Sequence, residues 1–292
     1  MARTDPYMKV RLEAEQLLKE LGVASLPVDP FVIAEKLGIA LKAMPANAGG
    51  ASGMLLHVNG QFGIGYPTHI DSDGFKRFSV GHEIGHYRLP GHVDAIVDAT
   101  GRHLSRAGFQ SDDQYEREAD HFASALLMPT GPFSAELRRC GDGLAAIETL
   151  SGRCGTSLEA TAIRYAQCAR EPVAVIRSAG RTIDYAFMSR ALEDFPNLDW
   201  IRKGTPLASD TLTFQFNANA ENVRTVARDK GTSALQDWLG GLYRQTVVEE
   251  VIGLGSYGKT LTVLTGMEPP DEVEDEDDDE ELEEAWTPRF RR

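Results

Sequence analysis

One helical segment constrains this chain more than any other. From about Gly74 the pattern FKRFSVGHEIGHYRL keeps a helical period until Pro90 stops it. Inside it stand His82, Glu83 and His86. Residues four apart share one face of a helix, a turn above each other. His82 and His86 can therefore aim two ring nitrogens at one cation, at the reach of about 2 Å that zinc requires. Glu83 is next to His82 and three residues from His86. Its carboxylate can take a proton from a water beside the metal without being a ligand. The plain alternative is an amphipathic helix with two surface histidines. Phe78 and Ile84 weigh against it by supplying an apolar side for a core.

A catalytic zinc site also needs a third protein ligand, and a second helix offers one. Residues 113–128 read as a long helix ended by Pro129, Gly131 and Pro132. Within it, in EREADHFA, Glu116 and Asp120 are four apart on one face. Glu116 can complete a His₂Glu set and leave a fourth position for water. Asp120 can accept the outer ring N–H of a ligand histidine and so fix its tautomer. Glu118 is the rival ligand, but it lies about 200° around the helix from Glu116. His121, one residue off the Glu116–Asp120 face, is a second rival.

Length and charge bound the remaining possibilities. The chain has 292 residues, enough for two ordinary domains. Its net charge of −14 is concentrated at one end: residues 271–284 hold twelve acids and no base, leaving −2 on the rest. The body is not a basic nucleic-acid binder by composition. Residues 1–10 have no apolar core of a leader peptide, and no stretch has the length of a transmembrane helix. Cys140, Cys154 and Cys168 are odd in number and form no CxxC pair, which fits reduced thiols in a cytoplasmic protein.

These features predict an α+β protein in three parts. Residues 1–171 form a zincin-like helical peptidase domain with a small sheet, including a C-terminal helical pair over 134–170. Residues 172–267 form a smaller α/β domain, and 268–292 an acidic disordered tail. In the first part, 9–21 reads as a helix stopped by Gly22. Asp29 and Pro30 open a short helix ended by Gly38, and Asn59-Gly60 marks a type I′ hairpin. Residues 91–112 read as loop. In the second part, 173–176, 183–187, 212–216, 247–252 and 261–264 read as strands, with helical patches near 220–229 and 232–243.

The string FSVGHEIGH, with EREADHFASALLMP beginning 30 residues after His86, resembles the ImmA/IrrE family of bacterial metallopeptidases. The upstream LPVDPFVIAEKLGI and GMLLHVNGQFGIGY fit the same pattern. The resemblance covers 14–129 well and extends loosely to about 266. It implies that His82, His86 and Glu116 bind Zn²⁺ and that Glu83 is the catalytic base. It also implies a protein substrate, an XRE-type helix-turn-helix repressor whose cleavage switches on stress or mobile-element genes. One departure follows His86, where YRLPGH replaces the usual apolar run at the rim of the site.

Other features are weighed against bland readings. The strand 61–66 is a candidate edge for pairing with a substrate backbone. Tyr87, His92, His103 and Tyr115 are the candidate donors to an oxyanion. The helical pair within 143–170 carries only Arg164 and Arg170 as bases in its second helix, which argues against direct DNA binding. Gly253–Thr260 matches the pattern G-x-x-x-x-G-K-T, but the segment after it is β-like, so a glycine-rich turn is expected rather than a nucleotide site. The acidic tail reads as a solvated segment, with docking to a basic partner as the alternative. The competing function is a non-catalytic zinc-containing module that binds a repressor or antitoxin. Glu83 favours the enzyme, because a capture site has no use for a base there. Mn²⁺ or Fe²⁺ would also suit these ligands.

Overall fold

Punctuation residues set the N-terminal elements where the sequence places them. The computed structural model describes residues 6–44, 51–68, 72–105, 113–241 and 245–268. Helix α1 (Met8–Glu20) gives way to Gly22 at φ 68°. Helix α2 (Pro30–Lys36) starts with the Asp29 side chain accepting the Phe31 N–H, and Gly38 at φ 72° follows its end. Strands β1 (Ala40–Met44), β2 (Gly53–Val58) and β3 (Gln61–Pro67) come next. Asn59 and Gly60, both at positive φ, make the β2–β3 hairpin turn.

Helix α3 (Asp73–Arg88) carries the two histidines. After it come α4 (His92–Ile96), β4 (Arg102–Ser105) and α5 (Gln114–Leu127). The first sheet has the order β1-β3-β2-β4, with β1 parallel to β3 and the other ladders antiparallel. One apolar core joins α1, α2, the sheet, α3 and α5 through Leu17, Ile33, Leu55, Ile64, Ile84 and Leu126, all buried. Burying Ile84 contributes roughly 1.5–3 kcal/mol. That is comparable to the cost of two glycines inside a helix, about 1 kcal/mol each, which α3 bears at Gly81 and Gly85.

Three helices follow: α6 (Thr130–Cys140), α7 (Gly143–Cys154) and α8 (Leu158–Cys168). Strands β5 (Ala174–Ala179) and β6 (Thr182–Met188) lead to short helices α9 (Arg190–Glu193), α10 (Leu212–Asn217) and α11 (Ala220–Arg224). Then come β7 (Arg228–Ala234), α12 (Leu235–Leu239), β8 (Thr246–Gly253) and β9 (Thr260–Thr265). The second sheet has the order β6-β5-β9-β8-β7 and is antiparallel throughout. The molecule is α+β; this sheet lacks the parallel crossovers that an α/β domain would have. Helices α6–α8 share a core with it through Phe133, Ile147, Leu150, Val175 and Val263. Its other face packs on Leu192, Leu235 and Trp238.

Several expectations need correction. Residues 212–216 form α10, not a strand, although TLTFQF alternates. Thr211 accepts the Phe214 N–H, and the buried Glu249 carboxylate accepts the N–H groups of Leu212 and Thr213 at 3.1 and 2.6 Å. A carboxylate satisfying the first-turn amides outweighs the period-2 pattern. Residues 228–229 and 232–234, placed in helical patches, belong to strand β7. The helical pair over 134–170 is three helices, because Gly141 and Gly143 both take positive φ. Residues 91–112, read as loop, contain α4 and β4. Strand β3 is not an edge, since β1 and β2 flank it.

The Gly253–Thr260 segment is the expected turn, joining β8 to β9 with Gly253 paired to Thr260. Arg164 is buried, donating to the Met128 carbonyl and the Thr130 hydroxyl, so it presents no charge to a DNA backbone. The acidic tail lies outside the described residues. No helix among the described residues is long and apolar enough to cross a membrane.

Candidate metal centre

The site forms where α3 and α5 touch most closely, and small residues permit that approach. A Cβ at Gly85 would lie 3.2 Å from Ala119 Cα and from Phe122 Cβ, and one at Gly81 would lie 3.4 Å from Ala123 Cβ. Gly81 and Gly85 therefore face Ala119 and Ala123, glycine against alanine, each pair four apart. His82 and His86 follow those glycines by one position, so they turn towards Glu116 and Asp120 along the same seam. Asp113 caps α5 by accepting the N–H groups of Tyr115 and Glu116, which fixes the turn that carries Glu116.

His82, His86 and Glu116 each offer one ligand atom within a 4.8 Å cluster, and all three are buried. His82 Nε2 and His86 Nε2 are 3.0 Å apart. Glu116 lies 3.2 Å from His86 Nε2 and 3.6 Å from His82 Nε2. Donors at about 2 Å from a tetrahedral ion stand roughly 3.3 Å from one another, so the set has the size of a zinc shell. Behind it, Asp120 accepts from His82 Nδ1 at 2.8 Å. The rivals lie elsewhere: Glu118 pairs with His92 at 3.0 Å, and the His121 ring stacks on Tyr7 at 3.8 Å.

Electrostatics follow from three buried carboxyl groups meeting two rings. Burial disfavours charge on His82, but Asp120, Glu116 and Glu83 outweigh it and raise its pKa to about 10. Burial, aided by the His82 charge, lowers His86 to about 3 against the pull of Glu116. Burial also opposes ionisation of Glu116, yet bonds from His103, His82 and His86 hold its carboxyl well below the usual range. For Glu83 burial wins and pushes the carboxyl up to about 7.

Glu83 is distinctive. Both its oxygens are buried and without a hydrogen-bond partner among the described residues. The Ser105 hydroxyl is near enough to pull its pKa down but lies outside hydrogen-bond geometry. Strand β2 leaves space for the carboxylate at Gly53, where a Cβ would collide with Glu83 Oε1. An unpaired buried carboxylate is costly, so its retention beside a metal-sized ligand set points to a role for it.

Of the four oxyanion candidates, only His103 reaches the ligand set and keeps some exposure. It bonds Glu116 at 2.8 Å from β4, with 16% of its side chain exposed. His92 is fully buried behind His86, Tyr115 lies edge-on to His92, and Tyr87 packs on Phe62. Gly53 and Ser105 were not legible as site elements in the sequence, and His92 and Glu118 were candidates for other tasks, because their pairing arises only through tertiary contact.

The family model of the Peptidase_M78, IrrE N-terminal-like domain matches residues 34–165, the stretch that contains both motif helices. No curated protein matches the chain. A solved structure described as a Mycobacterium tuberculosis transcriptional regulator is similar in fold, with a TM-score of 0.54 and 15% identity over 88% of each chain.

Proposed function

We propose that this chain, whose residues 34–165 match the IrrE N-terminal-like Peptidase_M78 family model, is a zinc-dependent, zincin-like endopeptidase of that family. The observation that carries this reading is the buried, unpaired Glu83 carboxylate next to a His₂Glu set of zinc-shell dimensions. His82, His86 and Glu116 would hold the ion, with Asp120 orienting His82. Zinc, when bound, supplies a Lewis acid that polarises a scissile carbonyl and acidifies water. Glu83 takes the proton from the attacking water and passes it to the departing amine. Its raised pKa suits it to holding that proton near neutral pH. His103, held beside the ligand set by its Nε2 bond to Glu116, would need a proton on Nδ1 as well to donate to the oxygen that becomes negative in the transition state.

The substrate backbone would pair along β4, which carries His103 and Ser105 towards the site. Leu104 next to them is 59% exposed. At Arg102 the outward N–H and C=O are already engaged by Asp98, so the pairing centres on Leu104. The proposed substrate is a helix-turn-helix repressor of the XRE type in the cytoplasm. The ImmA/IrrE resemblance supports that choice, and the description of the similar solved structure as a transcriptional regulator is in keeping with it. Residues 1–171 would then be the catalytic part, and 172–267 would select the partner.

The test is metal content by elemental analysis of wild type, Glu116→Ala and Glu83→Gln, each then incubated with a repressor encoded beside the gene. About one zinc per chain, lost in Glu116→Ala and kept in Glu83→Gln, with cleavage by wild type alone, is the expected outcome. Zinc uptake without cleavage would favour a capture module, and no metal at all would remove the basis of the proposal.

A further inference from the structure

The two histidines of α3 are backed differently. His82 Nδ1 has a carboxylate of its own, Asp120, at 2.8 Å. His86 Nδ1 has none in direct reach among the described residues. It meets His92 Nδ1 at 3.0 Å, and His92 Nε2 meets Glu118 at 3.0 Å. Glu118 is steadied in turn by Gln114, which donates to its other oxygen at 2.7 Å. His92 and His86 are both fully buried, so water does not compete for the bond between their rings, while Glu118 at the outer end is partly exposed.

His92 stands in the YRLPGH segment that follows His86. Pro90 ends α3, and Gly91 at φ 78° turns the chain back so that α4 begins with His92 under His86. Glu118 points some 200° away from Glu116 around α5, too far to join the ligand set. It can reach that set only through an intermediary, and His92 has the right length and two ring nitrogens.

The order of donors along this chain is fixed by the chemistry at its end. An ionised carboxylate only accepts. Glu118 therefore requires the proton of His92 on Nε2, which leaves the neutral ring's Nδ1 as an acceptor. That acceptor requires the proton of His86 on Nδ1, and His86 Nε2 is then left with a bare lone pair facing His82 and Glu116. The opposite order would put a proton on His86 Nε2, where the ion must bind.

We infer that His92 and Glu118 are positioning residues, a two-member relay that selects the His86 tautomer able to ligate the metal and holds its ring in place. This rests on the metal-site reading above. Outer hydrogen bonds of this kind, when removed, typically lower metal affinity roughly 10- to 100-fold.

The experiment measures zinc Kd by competition with a chromophoric chelator for wild type, His92→Phe, Glu118→Gln and Leu89→Ala. His92→Phe keeps an apolar ring of similar size but removes both polar atoms. Glu118→Gln preserves the fold at a partly exposed position while offering a donor, so the order of protons is no longer forced. Leu89→Ala is the packing control, a buried core residue outside the relay. Both relay variants are expected to weaken zinc binding by roughly 10- to 100-fold, with Leu89→Ala within threefold of wild type or about 0.6 kcal/mol. Nitrogen-15 NMR of the zinc form should show His86 protonated at Nδ1 in wild type, with that N–H signal lost in His92→Phe. Unchanged zinc Kd in both relay variants overturns the relay while leaving the metal site standing, as does a loss in Leu89→Ala equal to theirs. Absence of zinc uptake by wild type overturns the metal-site reading and the relay with it.

Discussion

Replacing Glu83 by Gln should stabilise the metal-free protein at alkaline pH while abolishing hydrolysis. The side chain is fully buried, and neither oxygen has a hydrogen-bond partner among the described residues. Its carboxyl is raised from an ordinary 4.5 to about 7, chiefly by burial. A carboxyl with a raised folded-state pKa binds its proton more tightly in the folded chain. Stability is therefore full below about pH 4.5, declines as pH rises through 7 and is level above. A difference of about 2.5 pKa units corresponds to roughly 3 kcal/mol. Glutamine keeps the shape and never ionises, so it escapes that loss. Urea denaturation of chelator-treated wild type and Glu83→Gln, from pH 5 to pH 8.5, should show curves that converge at the acid end. Towards pH 8 the variant should lead by roughly 3 kcal/mol. Titrations of groups remote from Glu83 cancel in the difference, while His82, whose pKa the Glu83 carboxylate helps to raise, loses that part of its shift in the variant. A gap that does not vary with pH, or a variant less stable at pH 8, would refute the reasoning.

Other consequences can be measured independently. Gly53→Ala places a methyl group on the Glu83 carboxylate; zinc content should stay near wild type while the cleavage rate falls by about 10²-fold, and an unaffected rate would show that Glu83 need not sit there. Gly85→Ala forces α3 away from Ala119 and Phe122 at 3.2 Å; overpacking of about 1–3 kcal/mol should exceed the helix-propensity gain of about 1 kcal/mol, so denaturant midpoints should fall and zinc binding weaken. Zinc binding at pH 7.5 should release about one proton, because His82 with its pKa near 10 is charged in the metal-free chain and must become neutral to ligate. Calorimetric titration in two buffers of different ionisation enthalpy counts that proton, and a count near zero contradicts the assigned charge state.

What was legible in the sequence is what a single helix can encode. His82, Glu83 and His86 are set by the period of α3, and Glu116 and Asp120 by that of α5. The glycines and alanines beside them announce how close the two helices come, once they are known to meet. Illegible residues arrive from elements too short to have a period. Strand β4 has four residues, and the glycine- and serine-rich surroundings of 91–112 read as loop, so Ser105 gave no sign of its position and His103 was one of four candidates with nothing to single it out. His92 was visible as a candidate but for the wrong task, since only the turn at Gly91 shows that it lies behind His86 and not in front. Helix α10 failed differently: its strand-like alternation is real, and the carboxylate of Glu249, far along the chain, decides against it. The Asp210-Thr211 pair before it is a helix-start signal that sequence reading had available.

Charge accounting explains why these residues tolerate one another without an ion. Glu83, Glu116 and Asp120 converge on a buried space in which they hold His82 protonated. That proton neutralises part of what a divalent cation would neutralise, which is why its pKa stands so far above that of His86 on the same helix face. The two histidines thus divide the labour before any metal arrives. His82, backed by Asp120, carries the temporary charge, while His86 waits neutral. Exchange of the His82 proton for a dication adds one net positive charge to the cluster. The carboxyl closest to losing its proton, Glu83 at about 7, is the one that gains most from that extra charge. On the proposed reading, a bound dication would therefore drive Glu83 towards the ionised form that a general base requires, and the buried carboxylate that costs the metal-free protein stability would be the group that hydrolysis uses.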